Sequence, residues 1–298
     1  MSFYVDDEIV SQPECWLTAA ARAAEVADLL PAPGERVAFV GCGTSWFMGQ
    51  AIAALREEAG QGESDAFTAA EFPAGRVGRP GGYDRVVALT RSGTTTEVLR
   101  LLDQLSGTVP TLAVVGDLDT PVVDRSDSIV DLTFADEASV VQTRFATSAL
   151  ALFRAGFGHD IEAIAAQATA ALHERLTEEM ADGDQITFVG QGWTVGLANE
   201  AALKFRESSS SWAESYPAMD YRHGPISIAA PGRLVWSFGP PPDGLAEQVT
   251  ATGATFVHHD RDAMAELVLA QRLAIARAMK LGLNPDHPRN LTRSVVLA

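Results

Sequence analysis

Val37-Ala-Phe-Val-Gly41-Cys-Gly43 returns half a chain later as Ile186-Thr-Phe-Val-Gly190-Gln-Gly192, and this repeat decides the fold. Further pairs follow at nearly the same shift. Arg85-Val-Val-Ala-Leu89 lines up with Arg233-Leu-Val-Trp-Ser237, and Thr111-Leu-Ala-Val-Val115 with Ala254-Thr-Phe-Val-His258. Each piece is a short apolar run closed by a turn residue, the pattern of a strand buried on both faces. The stretches between them at 95–105, 142–157 and 264–279 are rich in Ala and Leu at helical spacing. Strand alternating with helix predicts parallel sheets covered by helices on both sides. The expected fold is therefore α/β, two tandem copies of one doubly wound, flavodoxin-like domain. The halves are placed at 1–165 and 166–298. They meet near 158–185, where the polar turn Ala181-Asp-Gly-Asp-Gln185 opens the second sheet.

Composition narrows what such a pair of domains does. The chain has 298 residues, 47% apolar and 20% charged, enough for two cores of ordinary size. Its 39 acids against 22 bases give a net charge of −17, which repels nucleic acid and anionic lipid, and no basic run offsets it. No run of eighteen apolar residues is free of charge, so no membrane span is expected. The acidic start MSFYVDDEIV reads as neither a secretory signal nor a transit peptide, which makes the cytoplasm the expected compartment. Two cysteines, Cys15 and Cys42, form no disulfide framework and no metal cluster. Only Lys204 and Lys280 are lysines, so any covalent imine to a side chain must use one of them.

The two copies differ where function is expected. After its second matched strand the first half reads Thr90-Arg-Ser-Gly-Thr-Thr-Thr96; the second reads Gly239-Pro-Pro-Pro-Asp-Gly244, with no hydroxyl. Together with Gly41-Cys-Gly-Thr-Ser45, the first of these loops hands a strand over to a helix, whose unpaired N–H groups attract an anion. Glycine lets the backbone approach closely, and the Ser and Thr hydroxyls supply donors suited to a phosphate. The simpler reading is that these hydroxyls cap helices. A dinucleotide site is a third reading, since Gly41-Cys-Gly43 and Gly190-Gln-Gly192 begin like its glycine fingerprint and Asp65 stands about where a ribose-binding acid belongs. The third glycine is missing, replaced by Trp46 and Val195.

Acid–base groups gather in the second half. Glu200, Lys204, Glu207 and Ser211 fall on one helix face, as in a solvated salt-bridge ladder or a catalytic row. Downstream, Ala213-Glu-Ser-Tyr-Pro-Ala-Met-Asp-Tyr-Arg-His-Gly-Pro225 is dense in functional side chains. His223 within it is open to two readings, a structural histidine with its bonds satisfied or an acid–base group.

Gly41 to Ser45, Thr90 to Thr95, Glu200 to Glu207 and His223-Gly-Pro225 together resemble the double sugar isomerase (SIS) domain family, in particular the isomerase part of the glucosamine-6-phosphate synthases. The resemblance runs from Asp7 to the tail Pro288-Arg-Asn-Leu-Thr-Arg-Ser-Val295. It implies that Thr44, Ser45, Thr90, Arg91, Ser92 and Thr95 grip the phosphate of a phosphorylated sugar, and that Val140 lines the far side of that sugar. Glu207 aligns with the base that moves a proton between C1 and C2, and Lys204 and Glu200 with polar residues beside it. His223 aligns with the ring-opening histidine, contributed in the family by the partner subunit, so a homodimer with a shared active site is implied. Thr90-Arg91 replaces a more usual Ser-Gln, and Arg293 stands where the synthases have a substrate-contacting lysine.

No glutaminase domain with its amino-terminal cysteine is visible, so the implied activity is that of the stand-alone branch: isomerases, deaminases and deglycases. The expectation is 1,2-enolisation of an amino-sugar 6-phosphate or fructosamine phosphate, without cofactor or metal. A carboxylate base and a histidine suit that chemistry near neutral pH. A sugar-phosphate-binding regulator needs only the phosphate loops, and an NAD(P)-dependent enzyme needs the third glycine. The tail, polar and then apolar from Val295 to Ala298, is expected to fold back as a lid pinned by its last residues.

Overall fold

The computed structural model describes residues 3–297, apart from the side chain of Glu179; Met1, Ser2 and Ala298, which the readings of the two chain ends touched, lie outside the described residues. The chain gathers into two compact units. One holds the first sheet and comprises residues 14–137, 142–161 and those from Thr292 on. The other holds the second sheet and comprises residues up to Pro13, 138–141 and 162–291. Set beside the halves 1–165 and 166–298, two short segments gather with the second sheet and the tail gathers with the first.

Two helices, α1 (Tyr4–Val10) and α2 (Gln12–Glu25), precede the first sheet. There β1 (Val37–Gly41) leads into α3 (Thr44–Glu58), followed by β2 (Ser64–Thr68), β3 (Arg85–Thr90), α4 (Thr96–Leu105), β4 (Thr111–Val115), β5 (Ser128–Asp131) and α5 (Arg144–Gly156). All strands are parallel, in the order β2-β1-β3-β4-β5. This is the flavodoxin-like order, with a topological switch point between β1 and β3. Every residue of β1 and β4 is buried, which is why both read as continuous apolar runs. Helix α4 buries Val98, Leu101, Leu102 and Leu105, an i, i+3, i+4, i+7 stripe, in one cluster with Ala38, Val40, Val86 and Ala88. Phe39 points to the other face and meets Phe153 of α5 edge-on at 5.4 Å.

Helices α6 (Ile161–His173) and α7 (Glu178–Asp182) lead to the second sheet. It repeats the first four strands of the first sheet: β6 (Gln185–Gly190), α8 (Thr194–Ser209), β7 (Ala213–Pro217), β8 (Arg233–Phe238), α9 (Leu245–Ala251) and β9 (Thr255–Val257), closed by α10 (Ala263–Lys280). The order β7-β6-β8-β9 is again all parallel. The matched segments fall on β1 and β6, β3 and β8, β4 and β9; β5 has no counterpart. Phe188 of β6 packs on Phe205 of α8 at 5.3 Å and on Trp236 of β8 at 5.8 Å.

Glycine is required at the same place in both copies. A Cβ on Gly41 would lie 2.7 Å from the Ser45 Cβ, and one on Gly190 would lie 2.5 Å from the Thr194 carbonyl oxygen. Each lets the first helix turn back tightly onto its strand.

Two polar tethers give the second-sheet unit its distant segments. The Asp286 carboxylate accepts the backbone N–H groups of Tyr4 and Val5, both at 2.9 Å, satisfying orphan donors at the start of α1. Glu8, buried in α1, accepts from the backbone of Ala138 at 2.6 Å and Ser139 at 3.1 Å, and from the Ser139 hydroxyl. No helix among the described residues is long and apolar enough to cross a membrane.

Candidate functional site

In the first-sheet unit the two hydroxyl-rich loops leave the carboxyl ends of β1 and β3, neighbours in the sheet and the position where ligands bind open α/β sheets. Thr44 and Ser45 form the first turn of α3 and are buried. Gly43 caps that helix without a side-chain bond, and no acid lies in its first turn. Thr95 caps α4, again without a side-chain bond. The capping reading therefore fails at both helix starts. Instead the Thr90 hydroxyl accepts from the Gly93 N–H at 3.2 Å and the Ser92 hydroxyl from the Thr94 N–H at 3.3 Å, bonds that shape the loop. Cys42, between the glycines of the first loop, keeps its proton: burial, with the Glu97 carboxylate adding to it, pushes the thiol up to about 11. Asp65 accepts the Tyr83 hydroxyl at 2.6 Å, which gives the supposed ribose acid a partner within the protein.

Arg91 is buried and committed. Its guanidinium faces the equally buried Glu137 at 3.5 Å and donates to the Arg293 carbonyl at 3.1 Å. Glu137 is held in turn by the backbone N–H and hydroxyl of Thr143, at 2.5 and 2.8 Å, and by the Arg144 N–H at 2.8 Å. Arg293 pairs with Asp136 at 2.5 Å and donates to the Glu137 carbonyl. Neither guanidinium is idle, and neither Asp136 nor Glu137 was legible as a partner from sequence spacing.

These bonds belong to a larger seam between the tail and the loop 90–96. Thr94 and Ser294 share a hydroxyl bond of 2.8 Å, the Thr96 N–H donates to the Val295 carbonyl at 3.1 Å, and the Leu297 N–H donates to the Thr96 hydroxyl at 2.9 Å. The tail is thus fastened by its backbone and by Arg293. Its final residues do pin it, but through these backbone bonds, since the side chains of Val295, Val296 and Leu297 are exposed.

In the second-sheet unit α8 buries Lys204 between two carboxylates. Lys204 Nζ lies 2.6 Å from Glu207 Oε2 and 3.3 Å from Glu200 Oε1. Glu200 and Lys204 are almost wholly buried, whereas the Glu207 side chain keeps 20% of its exposure. A solvated surface ladder is excluded. Ser210 ends α8 with φ 51°, a left-handed conformation that glycine more often takes. His223 ends a short helical turn, Asp220–His223, anchored by buried Tyr221; its imidazole is exposed and makes no bond to a described residue. The structural-histidine reading is therefore not met. Val140, in segment 138–141, donates its backbone N–H to the Asp286 carbonyl at 3.0 Å.

The second copy of the strand-to-helix turn is closed on itself. Thr194 stands where Ser45 stands; its hydroxyl donates to the Phe238 carbonyl at 2.8 Å and accepts from the Gln191 N–H at 2.9 Å. Gln191 reaches across to the Pro240 carbonyl at 3.0 Å. Among the described residues no group of three His, Cys, Asp or Glu is placed to hold a metal ion.

Comparison with known proteins agrees with this architecture. Residues 32–156 match the SIS domain family. It is 27% identical over 302 residues to glutamine–fructose-6-phosphate aminotransferase (isomerizing) of Sulfurisphaera tokodaii, covering 88% of this chain and 50% of the relative. The chain thus spans about half the length of the curated relatives it matches. Among solved structures, glucosamine-6-phosphate deaminase from Thermotoga maritima superposes with a TM-score of 0.81 at 24% identity, over 98% of this chain and 99% of that one. Tagatose-6-phosphate ketose/aldose isomerase from Escherichia coli superposes with a TM-score of 0.78 at 20% identity, over 95% and 96%. These two likenesses establish the shared fold: two parallel sheets flanked by helices.

Proposed function

We propose that this protein is a phosphosugar isomerase or deaminase that acts by 1,2-enolisation on an amino-sugar 6-phosphate or a fructosamine phosphate. The names of its three relatives share one substrate feature, a sugar 6-phosphate. The observation that carries the reading is Lys204, buried between Glu200 and Glu207. Burying a lysine with two carboxylates is a poor way to gain stability, so the group is kept for its chemistry. A regulator that only bound the ligand would have no use for it.

In this reading Thr44, Ser45, Thr90, Ser92 and Thr95 hold the phosphate, which is remote from the bond changes and fixes the sugar's position. Arg91 and Arg293 act from behind, fixing the phosphate loop and the tail to Asp136 and Glu137. Val140 limits the far side of the sugar. Glu207, the more exposed carboxylate, takes the proton from the carbon beside the carbonyl. The electron pair moves into an enediol or enolamine, and return of the proton to the neighbouring carbon completes the shift. Lys204 holds the Glu207 carboxylate in place through a short charged bond, and Glu200 holds Lys204. His223 opens the ring, and its exposed, unbonded imidazole suits a histidine offered to a partner subunit in a homodimer. The tail serves as the lid.

The test is a coupled assay over amino-sugar and fructosamine phosphates, scored for both ammonia and isomer, on the wild type and on Glu207→Gln. The variant is expected to lose at least ~10²-fold in kcat with substrate binding retained. Tight sugar-phosphate binding without turnover by the wild type would make the protein a regulator, and a thermal shift with NAD(P) alone would make it a nucleotide enzyme.

A further inference from the structure

At the amino ends of β1 and β3, the opposite edge of the sheet from the phosphate loops, lies a second group of cations that the proposed reaction does not use. Arg36 immediately precedes β1, and Arg76 and Arg79 lie on the segment that leads from β2 to β3. Their side chains, with Gly81, Gly82 and Tyr83, line one cavity of about 290 Å³. In a chain of net charge −17, three of the 22 bases share this crevice. Solvated faces of an acidic protein do not gather guanidinium groups in this way, because they repel one another.

The acids nearby are already engaged. Glu63 pairs with Arg36 at 2.6 Å, the Asp84 carboxylate accepts the Arg36 backbone N–H at 2.8 Å, and Asp65 accepts the Tyr83 hydroxyl. Arg36 also donates to the Gly81 carbonyl at 2.5 Å, yet its Nε is buried without a partner. Arg76 has one long bond, 3.4 Å to the Tyr83 hydroxyl, and the Arg79 guanidinium bonds to no described residue. The loop that carries them is held by its own backbone, with the Gly82 N–H on the Arg79 carbonyl at 3.0 Å and the Tyr83 N–H on the Arg76 carbonyl at 2.9 Å. The main chain is therefore fixed while the Arg76 and Arg79 forks keep free donors.

We propose that this crevice binds the phosphoryl or pyrophosphoryl group of a second ligand, an effector separate from the substrate. Guanidinium forks match phosphate oxygens two at a time, and those of Arg76 and Arg79 supply the free donors beside the anchored Arg36. The volume falls just below the range of sites that enclose a whole drug-sized molecule, so the crevice takes the phosphate end and leaves the rest of the ligand outside. The strand between the two sets of loops is about 16 Å long at ~3.3 Å per residue. One phosphate cannot serve both edges.

The test uses pyrophosphate as the probe, titrated calorimetrically at low salt into the full chain carrying Ser92→Ala and Thr95→Ala, so that the phosphate loops do not contribute. That protein is expected to bind pyrophosphate. Adding Arg76→Ala and Arg79→Ala is expected to weaken the binding by roughly tenfold or more per arginine, about 100-fold in all. Both arginines are exposed, and an unchanged melting temperature in the absence of ligand confirms that the fold survives. Failure of the Ser92/Thr95 variant to bind, or equal binding with and without Arg76 and Arg79, would overturn the proposal. Neither outcome depends on whether the chain turns over a sugar phosphate.

Discussion

Gly41-Cys-Gly-Thr-Ser45 and Gly190-Gln-Gly-Trp-Thr194 are the same turn twice. Each follows the strand that comes first in sequence in its sheet, each has a glycine at which a Cβ would collide, and each starts a long helix. They differ in where their polar groups go. In the second, Thr194 and Gln191 bond to Phe238, Pro240 and the turn itself, so the backbone is closed and the helix start is occupied from within. In the first, no hydroxyl caps α3, and the neighbouring loop brings Thr90, Ser92 and Thr95 beside it without capping α4. A duplicated fold needs the turn in both places. A ligand site needs donors left over from the fold's own hydrogen bonds, and in the first copy the Thr90 and Ser92 hydroxyls only accept loop N–H groups, which leaves their own protons to donate. The second copy instead buries Lys204 between Glu200 and Glu207 on the helix that its turn starts.

The largest effect that sharpens this contrast is expected at that face. Lys204→Met leaves Glu200 and Glu207 with no cation between them, and breaking a buried pair in this way costs about 3–5 kcal/mol. Urea denaturation measures it; a loss below about 1 kcal/mol would mean that the triad is solvated after all. Next in size are the two glycines. Gly41→Ala and Gly190→Ala force a Cβ onto backbone or helix-start atoms, and each is expected to lose about 1–3 kcal/mol of stability. Only Gly41→Ala is expected to lower sugar-phosphate affinity as well, and equal loss of affinity in both would erase the distinction between the turns.

The smallest effect concerns Cys42, which occupies the place held by Gln191 in the second turn. With its thiol pushed up to about 11, only the neutral form is present at pH 8, and the thiolate is the reactive species. Iodoacetamide labelling of Cys42 is therefore expected to be slow at pH 8 and to quicken about tenfold per pH unit until the thiol titrates. Glu97→Gln removes a charge that holds the proton on and is expected to quicken it at every pH. A labelling rate already level above pH 9 would contradict this.

Much of this architecture was legible because strands buried on both faces write themselves as apolar runs. The three matched pairs fall on β1/β6, β3/β8 and β4/β9, and the stretches read as helical fall on α4, α5 and α10. Strand β5, four residues with only Val130 fully buried, leaves no such run. The composition of the two units was not legible either. It depends on single polar side chains acting over long sequence distance, Asp286 on the start of α1 and Glu8 on Ser139. The candidate site divides in the same way. Glu200, Lys204 and Glu207 were visible as one helix face, since periodicity carries them. That Arg91 and Arg293 spend their charge on Glu137 and Asp136 was not visible, because nothing in spacing pairs residue 91 with 137 or 293 with 136. The three-arginine crevice escaped for a related reason: Arg36 is far in sequence from Arg76 and Arg79, so no basic run announces it.

The most direct measurement is the affinity for glucosamine 6-phosphate and fructose 6-phosphate, by calorimetry, in the wild type, in Ser92→Ala with Thr95→Ala, and in Thr194→Ala. Each lost hydrogen bond to a charged group typically costs about 1.5–3 kcal/mol. The first variant is therefore expected to bind at least ~100-fold more weakly while remaining folded. Thr194→Ala breaks bonds within the second turn and is expected to lose about 1 kcal/mol of stability with affinity unchanged. Affinity that survives in the Ser92/Thr95 variant, or that falls equally in Thr194→Ala, would contradict a phosphate site confined to the first copy.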